Sequence, residues 1–226
     1  MKKILSTFTL LALASSASHA SSIPTFNSTL EKSFLGKKIS VPYTHVISYI
    51  DYSAPGSEDA IVNGKKFSYI YVWIPVATSE LGVRMVSPYN DNKKLDNPTV
   101  TKRYLENKES DDYFDTYVTI ERSSITSLKG LKENDIKKAK WTILDKNDDS
   151  RELPKQPSGS YYNSLLRYES NTAAPSKSLT KGLYRVGFTS FKKGEVKGSF
   201  LAQIGSPVKL PGVKITRDLQ QLLDSE

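Results

Sequence analysis

The sequence predicts a mostly β fold, a sandwich of two sheets, and three observations carry that expectation. Lys66 to Val76, KFSYIYVWIPV, places Phe67, Tyr69, Tyr71 and Trp73 on one face of an extended chain and Ser68, Ile70, Val72 and Ile74 on the other. Both faces are mostly apolar, so both require cover. Gly182 to Ile204 reads as strand, turn, strand. Leu183, Arg185 and Gly187 alternate there with Tyr184, Val186 and Phe188, and Lys192-Lys193-Gly194-Glu195 forms a polar break before Val196, Phe200 and Ile204. A hairpin is expected, with Arg185 needing a partner or an edge, and with Gly187 and Gly198 marking bulges or close backbone approaches. Finally, the chain holds 13 tyrosines, a residue type at home in strands and at wet edges.

In chain order, Lys2 and Lys3, the apolar run Leu5 to Ala14 and the ending Ser18-His19-Ala20 form an export signal, too short for a membrane span. Residues 1–20 are therefore expected to be removed, leaving 21–226 as a single domain in the periplasm or at the cell surface. Ser21 to Lys38 reads as irregular. Ile39 to Ile50 is an early strand that Pro42 interrupts. His45, the one histidine beyond the signal, has no serine or acid tied to it by spacing, and a packing or surface role is expected.

Asp51 to Asn63 reads as a loop, and Leu81 to Ser87 as a further strand interrupted by Arg84. Tyr89 to Asp112 is charged and reads as an exposed insertion with at most a short helix near Lys102 to Lys108. Tyr113 to Arg122 returns to strand. Ser124 to Trp141 has helical spacing that Gly130 divides into two short elements. Ile143 to Gln156 is a strand end and a polar loop, Ser160 to Glu169 a short strand, and Asn171 to Thr180 a loop. A last amphipathic helix begins beyond Thr216 and docks Leu219, Leu222 and Leu223.

Composition excludes several functions. The sequence contains no cysteine, so disulfides, thiolate metal sites and acylation of a processed cysteine are excluded, and no lipid anchor is expected. The formal charge of +8 falls to +6 without Lys2 and Lys3, a mild surplus that is poor evidence for nucleic acid. No stretch beyond the signal is long and apolar enough to cross a bilayer as a helix. Phosphate-cradling glycine loops, HExxH and GxSxG are all missing, so common hydrolase chemistry has no foothold and no catalytic residue is assigned.

Asp145-Lys146-Asn147-Asp148-Asp149 is the one cluster rich in hard oxygen ligands, and Asp115-Thr116 offers a second pair. Calcium takes several oxygens of this kind, yet the cluster lacks the spacing of an EF-hand loop, and a solvated acidic turn is the plainer reading. Paired carboxylates would also serve a glycosidase, although the sequence does not show their separation.

The motifs YVWIP at Tyr71 to Pro75, GVRMVSP at Gly82 to Pro88, FDTYVTIER at Phe114 to Arg122, YNSLLR at Tyr162 to Arg167 and GLYRVGFTSFKKGEVKGSF at Gly182 to Phe200 are collinear. Together they resemble the major surface lipoprotein family of pathogenic Leptospira, the LipL32-like family, from about Val41 to Pro211. The resemblance implies an antiparallel jelly-roll β-sandwich with short peripheral helices, binding Ca2+ and adhering to matrix proteins such as collagen, laminin and fibronectin; with it, a non-enzymatic binding module is expected, meeting a matrix-like protein or a glycan at a surface rich in tyrosine and lysine. It places the metal ligands on Asp115, Thr116, Asp148, Asp149 and Tyr162, the last through its backbone oxygen. The aspartate run is shorter than the family's and Lys146 and Asn147 interrupt it; the acylated cysteine is missing. A purely structural envelope role and a homodimer both stay open at this point.

Overall fold

The computed structural model describes residues 23–89 and 95–224. The expected export signal, residues 1–20, lies outside them. The strands are β1 (Asn27–Phe34), β2 (Lys37–Pro42), β3 (His45–Ser53), β4 (Ala60–Val62), β5 (Lys65–Ile74), β6 (Glu80–Val86), β7 (Thr99–Val100), β8 (Thr116–Ser123), β9 (Trp141–Asn147), β10 (Ser164–Glu169), β11 (Gly182–Ser190), β12 (Gly198–Ser206) and β13 (Lys214–Thr216). Three short helices accompany them, α1 (Lys102–Asn107), α2 (Glu133–Lys137) and α3 (Leu219–Asp224).

Two large sheets have the orders β10-β6-β12-β3-β7 and β13-β5-β11-β8-β9, with β4 paired to the start of β5, and β1 and β2 form a separate two-stranded sheet. Among the described residues every pairing is antiparallel except that of β3 with β7, which is parallel. That one parallel contact departs from the wholly antiparallel expectation. Between the sheets lies the main core: Ile70, Val72 and Ile74 of β5 and Val186 and Phe188 of β11 pack with Val83 and Met85 of β6 and Phe200 and Ile204 of β12. The outer faces are covered too. Leu128, Ile136 of α2 and Leu219 and Leu222 of α3 cover Phe67, Tyr69, Tyr71 and Trp73, while Ile23, Phe26, Tyr104 and Leu153 cover Ile50, Val86, Leu165 and Leu201. This double cover is why β5 and β11 are apolar on both sides.

The expected hairpin of Gly182 to Ile204 is not formed. β11 pairs with β5 and β8, and β12 pairs with β3 and β6, so the two strands belong to different sheets. They meet face to face instead, with the Phe188 and Phe200 rings 4.7 Å apart. Each strand is flanked on both sides already, and the polar break spans the gap between sheets. Arg185 does find its partner: it stands opposite Glu121 on β8, with Nη2 2.7 Å from Oε2, and its guanidinium lies over the Tyr69 ring. Gly187 and Gly198 are close approaches, since a Cβ would come within 2.5 Å of Thr119 Oγ1 at the first and of Asp112 O at the second.

Other local readings change. Ser21 to Lys38 contains β1, whose Ser28 and Thr29 hydroxyls and Thr29 N–H donate to Glu80 in β6. A long-range anchor orders a segment whose own composition is polar. β3 runs on to Ser53, so the loop begins later than expected. Between Ser124 and Trp141 only α2 is helical, and Leu128 is buried from irregular chain. His45 has a packing role, its Nδ1 accepting from Leu210 N–H at 2.9 Å. None of the described helices is long and apolar enough to cross a membrane.

Candidate functional site

The start of β8 gathers three segments that lie far apart in sequence. Thr116 is the first residue of β8 and is fully buried; its N–H donates to the Tyr162 carbonyl at 3.0 Å, and its hydroxyl lies 3.3 Å from the same oxygen. The Thr116 and Ser164 hydroxyls are 2.8 Å apart. Ser164 Oγ in turn reaches the Thr116 carbonyl at 2.7 Å and the Asp148 carbonyl at 3.2 Å. Ser164 thus ties the β9-β10 connection to β8. On the other side, Phe191 N–H donates to the Asp115 carbonyl at 3.0 Å, extending the β8-β11 ladder by one step.

Buried amides hold the connection from 148 to 163 in place. Gln156 Nε2 donates to the Phe114 carbonyl at 2.7 Å, and Asn163 Nδ2 donates to the Pro154 carbonyl at 2.8 Å while its Oδ1 accepts from Ser87 N–H at 2.9 Å. Sequence reasoning missed Ser164, Gln156 and Asn163. The only signal for them was the Asn163-Ser164 pair inside the YNSLLR motif and a glutamine framed by Pro154 and Pro157.

The acidic stretch is shorter than the sequence suggested. Asp145, Lys146 and Asn147 belong to β9, opposite Ile120, Thr119 and Val118, so only Asp148 and Asp149 lie in the loop. Asn147 supports that loop by accepting from Leu165 N–H at 2.9 Å. Asp115 is near both loop acids. Burial first, and then the charges of Asp149 and Asp148, push its carboxyl from the ordinary value of 3.8 up to about 6, with Lys192 and Lys65 pulling the other way. Asp149 is raised as well, by burial and by Asp148. Asp115 Oδ1 is buried and has no hydrogen-bond partner among the described residues.

All five expected ligand residues therefore converge on one end of the sandwich, and Lys146 and Asn147 stand aside in a strand. The convergence is loose: among the described residues, no three acidic, histidine or cysteine side chains stand close enough to hold a metal by themselves. Coulomb repulsion acts over longer distances than a coordination shell, so the two observations agree. Calcium takes roughly six to eight oxygens, and the Tyr162 carbonyl and Thr116 hydroxyl are neutral donors beside the acids. The residues fit calcium in kind, with the orphaned Asp115 oxygen as the group that most lacks a cation.

A second acidic site contrasts with this one. Asp51 in β3 is fully buried and accepts from Thr101 Oγ1 at 2.6 Å, Tyr52 N–H at 2.8 Å, Arg103 Nη2 at 2.9 Å and Arg217 Nη1 at 3.1 Å. Beside it opens a surface hollow of about 390 Å³, lined by Tyr49, Asp59, Arg103, Arg217 and Gln221 among others. Both of its arginines are committed to Asp51, so its size does not make it the better candidate.

A two-sheet β-sandwich with an acid-rich end defines the class of protein. The family model described as Lipl32, surface lipoprotein of the Spirochaetales order, matches residues 37–215, well over half of the chain. The protein belongs to that family. No curated protein matches it significantly.

Proposed function

We propose that this protein is a non-enzymatic, exported calcium-binding module of the cell envelope that presents its acid-rich end to a glycan or a matrix-like protein. The observation that carries this reading is the buried, unpartnered Oδ1 of Asp115 beside Asp148 and Asp149. A carboxylate in that state gains from any cation that reaches it, and calcium accepts the mixed oxygen set of Asp115, Thr116, Asp148, Asp149 and Tyr162. Bound calcium would tie the 148–163 connection to β8. Membership of a surface lipoprotein family supports the location.

The jelly-roll reading of the fold is supported by the strand orders β10-β6-β12-β3 and β5-β11-β8-β9, in which the chain changes sheet at most steps. The test of function is a calcium titration of thermal stability with Asp148→Ala as control. A rise in melting temperature with calcium that the variant loses is expected; an unchanged melting temperature at millimolar calcium overturns the reading.

A further inference from the structure

The acid-rich end also carries a rim of exposed rings and lysines. Phe191 opens the 191–197 connection and is 48 % exposed, followed by exposed Lys192 and Lys193. The bond from Phe191 N–H to the Asp115 carbonyl fixes this loop against the carboxylates, and Lys65 Nζ sits 5.0 Å from the Phe191 ring centroid. Tyr161 and Tyr162, in the connection that carries Asp148 and Asp149, are 39 % and 40 % exposed, with Lys155 Nζ 5.1 Å over the Tyr161 ring. Single exposed rings are ordinary; three around one charged centre, interleaved with lysines, are a surface with a shared chemistry.

Aromatic rings favour the headgroup layer of a bilayer, and lysines are drawn to anionic lipid. We propose that this end of the sandwich docks on an anionic phospholipid surface, Phe191, Tyr161 and Tyr162 entering the headgroup layer and Lys192 and Lys193 meeting phosphates, once calcium neutralises the carboxylates. Without calcium, Asp115, Asp148 and Asp149 oppose lipid phosphate from the middle of the rim. With it, the lysines act unopposed. The proposal rests on the calcium reading, and calcium makes the docking conditional.

The test is sedimentation of the purified protein with vesicles of phosphatidylcholine containing about one-third phosphatidylglycerol, in millimolar calcium or in chelator, alongside lipid-free melting in calcium. Calcium-dependent binding is expected, weakened about tenfold in Phe191→Ser and in the double variant K192E/K193E, with the calcium-induced rise in melting temperature kept in both. If calcium raises the melting temperature but the protein stays off the vesicles, docking is overturned and the metal site stands. Equal binding to pure phosphatidylcholine, wild-type binding by both rim variants, or binding indifferent to calcium also overturns it. A melting temperature that ignores calcium defeats the metal reading and this proposal together.

Discussion

Asp51, fully buried, and Asp115, half-buried with one oxygen out of reach of water, are treated by the fold in opposite ways. Asp51 receives two arginines, a hydroxyl and a backbone N–H from segments that lie 50 to 166 residues away or next door. Among the described residues no cation is bonded to Asp115, which keeps one oxygen without a partner and faces two more carboxylates. Burying a charge is costly unless it is paired. A completed acid holds structure together, whereas an incomplete one is costly in the free protein and gains when a cation arrives.

The largest effect should come from breaking the completed site. Asp51→Ala leaves Arg217, largely buried, without its hydrogen-bonded carboxylate, with Asp59 the nearest remaining acid at 3.8 Å, and should cost about 3–5 kcal/mol in denaturant unfolding. A loss below 1 kcal/mol would show that water replaces the carboxylate easily. Next, free calcium at about a hundred times its dissociation constant should add about 2.7 kcal/mol to the stability of the wild type and nothing to Asp148→Ala. Thr101→Val removes one hydroxyl donor to Asp51 and the N-cap acceptor of Tyr104 N–H, and should cost about 1–2 kcal/mol by the same unfolding measurement.

Asp115→Asn should act in the opposite direction from Asp51→Ala. The Asp115 pKa is raised in the folded protein, to about 6 from 3.8, so the folded state holds the extra proton between those values. Stability should therefore fall as pH rises from about 4 to 6 and level off above, in chelator. Asp115→Asn should flatten that slope and raise the melting temperature slightly at neutral pH. A wild-type slope of the reverse sign would mean that Asp115 already has a cation partner.

Local pattern carried much of the fold. β5 was readable because its alternation is dense, and α3 because Leu219, Leu222 and Leu223 recur at helical spacing. Pairing was not readable: the apolar faces of β11 and β12 say that both are covered but not by which neighbours, and adjacency in sequence favoured a hairpin that the sheets do not make. The candidate site divides in the same way. Asp115, Thr116, Asp148, Asp149 and Tyr162 came from motif resemblance, whereas Ser164, Gln156 and Asn163 act through long-range bonds that no local pattern announces. Asp51 was misread for the same reason, as the first residue of a loop, because Arg103 and Arg217 reach it only after the sheets assemble.

The crossing from β11 to β12 bears on how the molecule tolerates change. Because each of these strands is clamped by neighbours on both sides, the length of the 191–197 connection does not set the register of either. Lys193 and Gly194 at its tip are exposed. A foreign peptide grafted between them would be displayed on a scaffold whose strand ladders have no reason to slip.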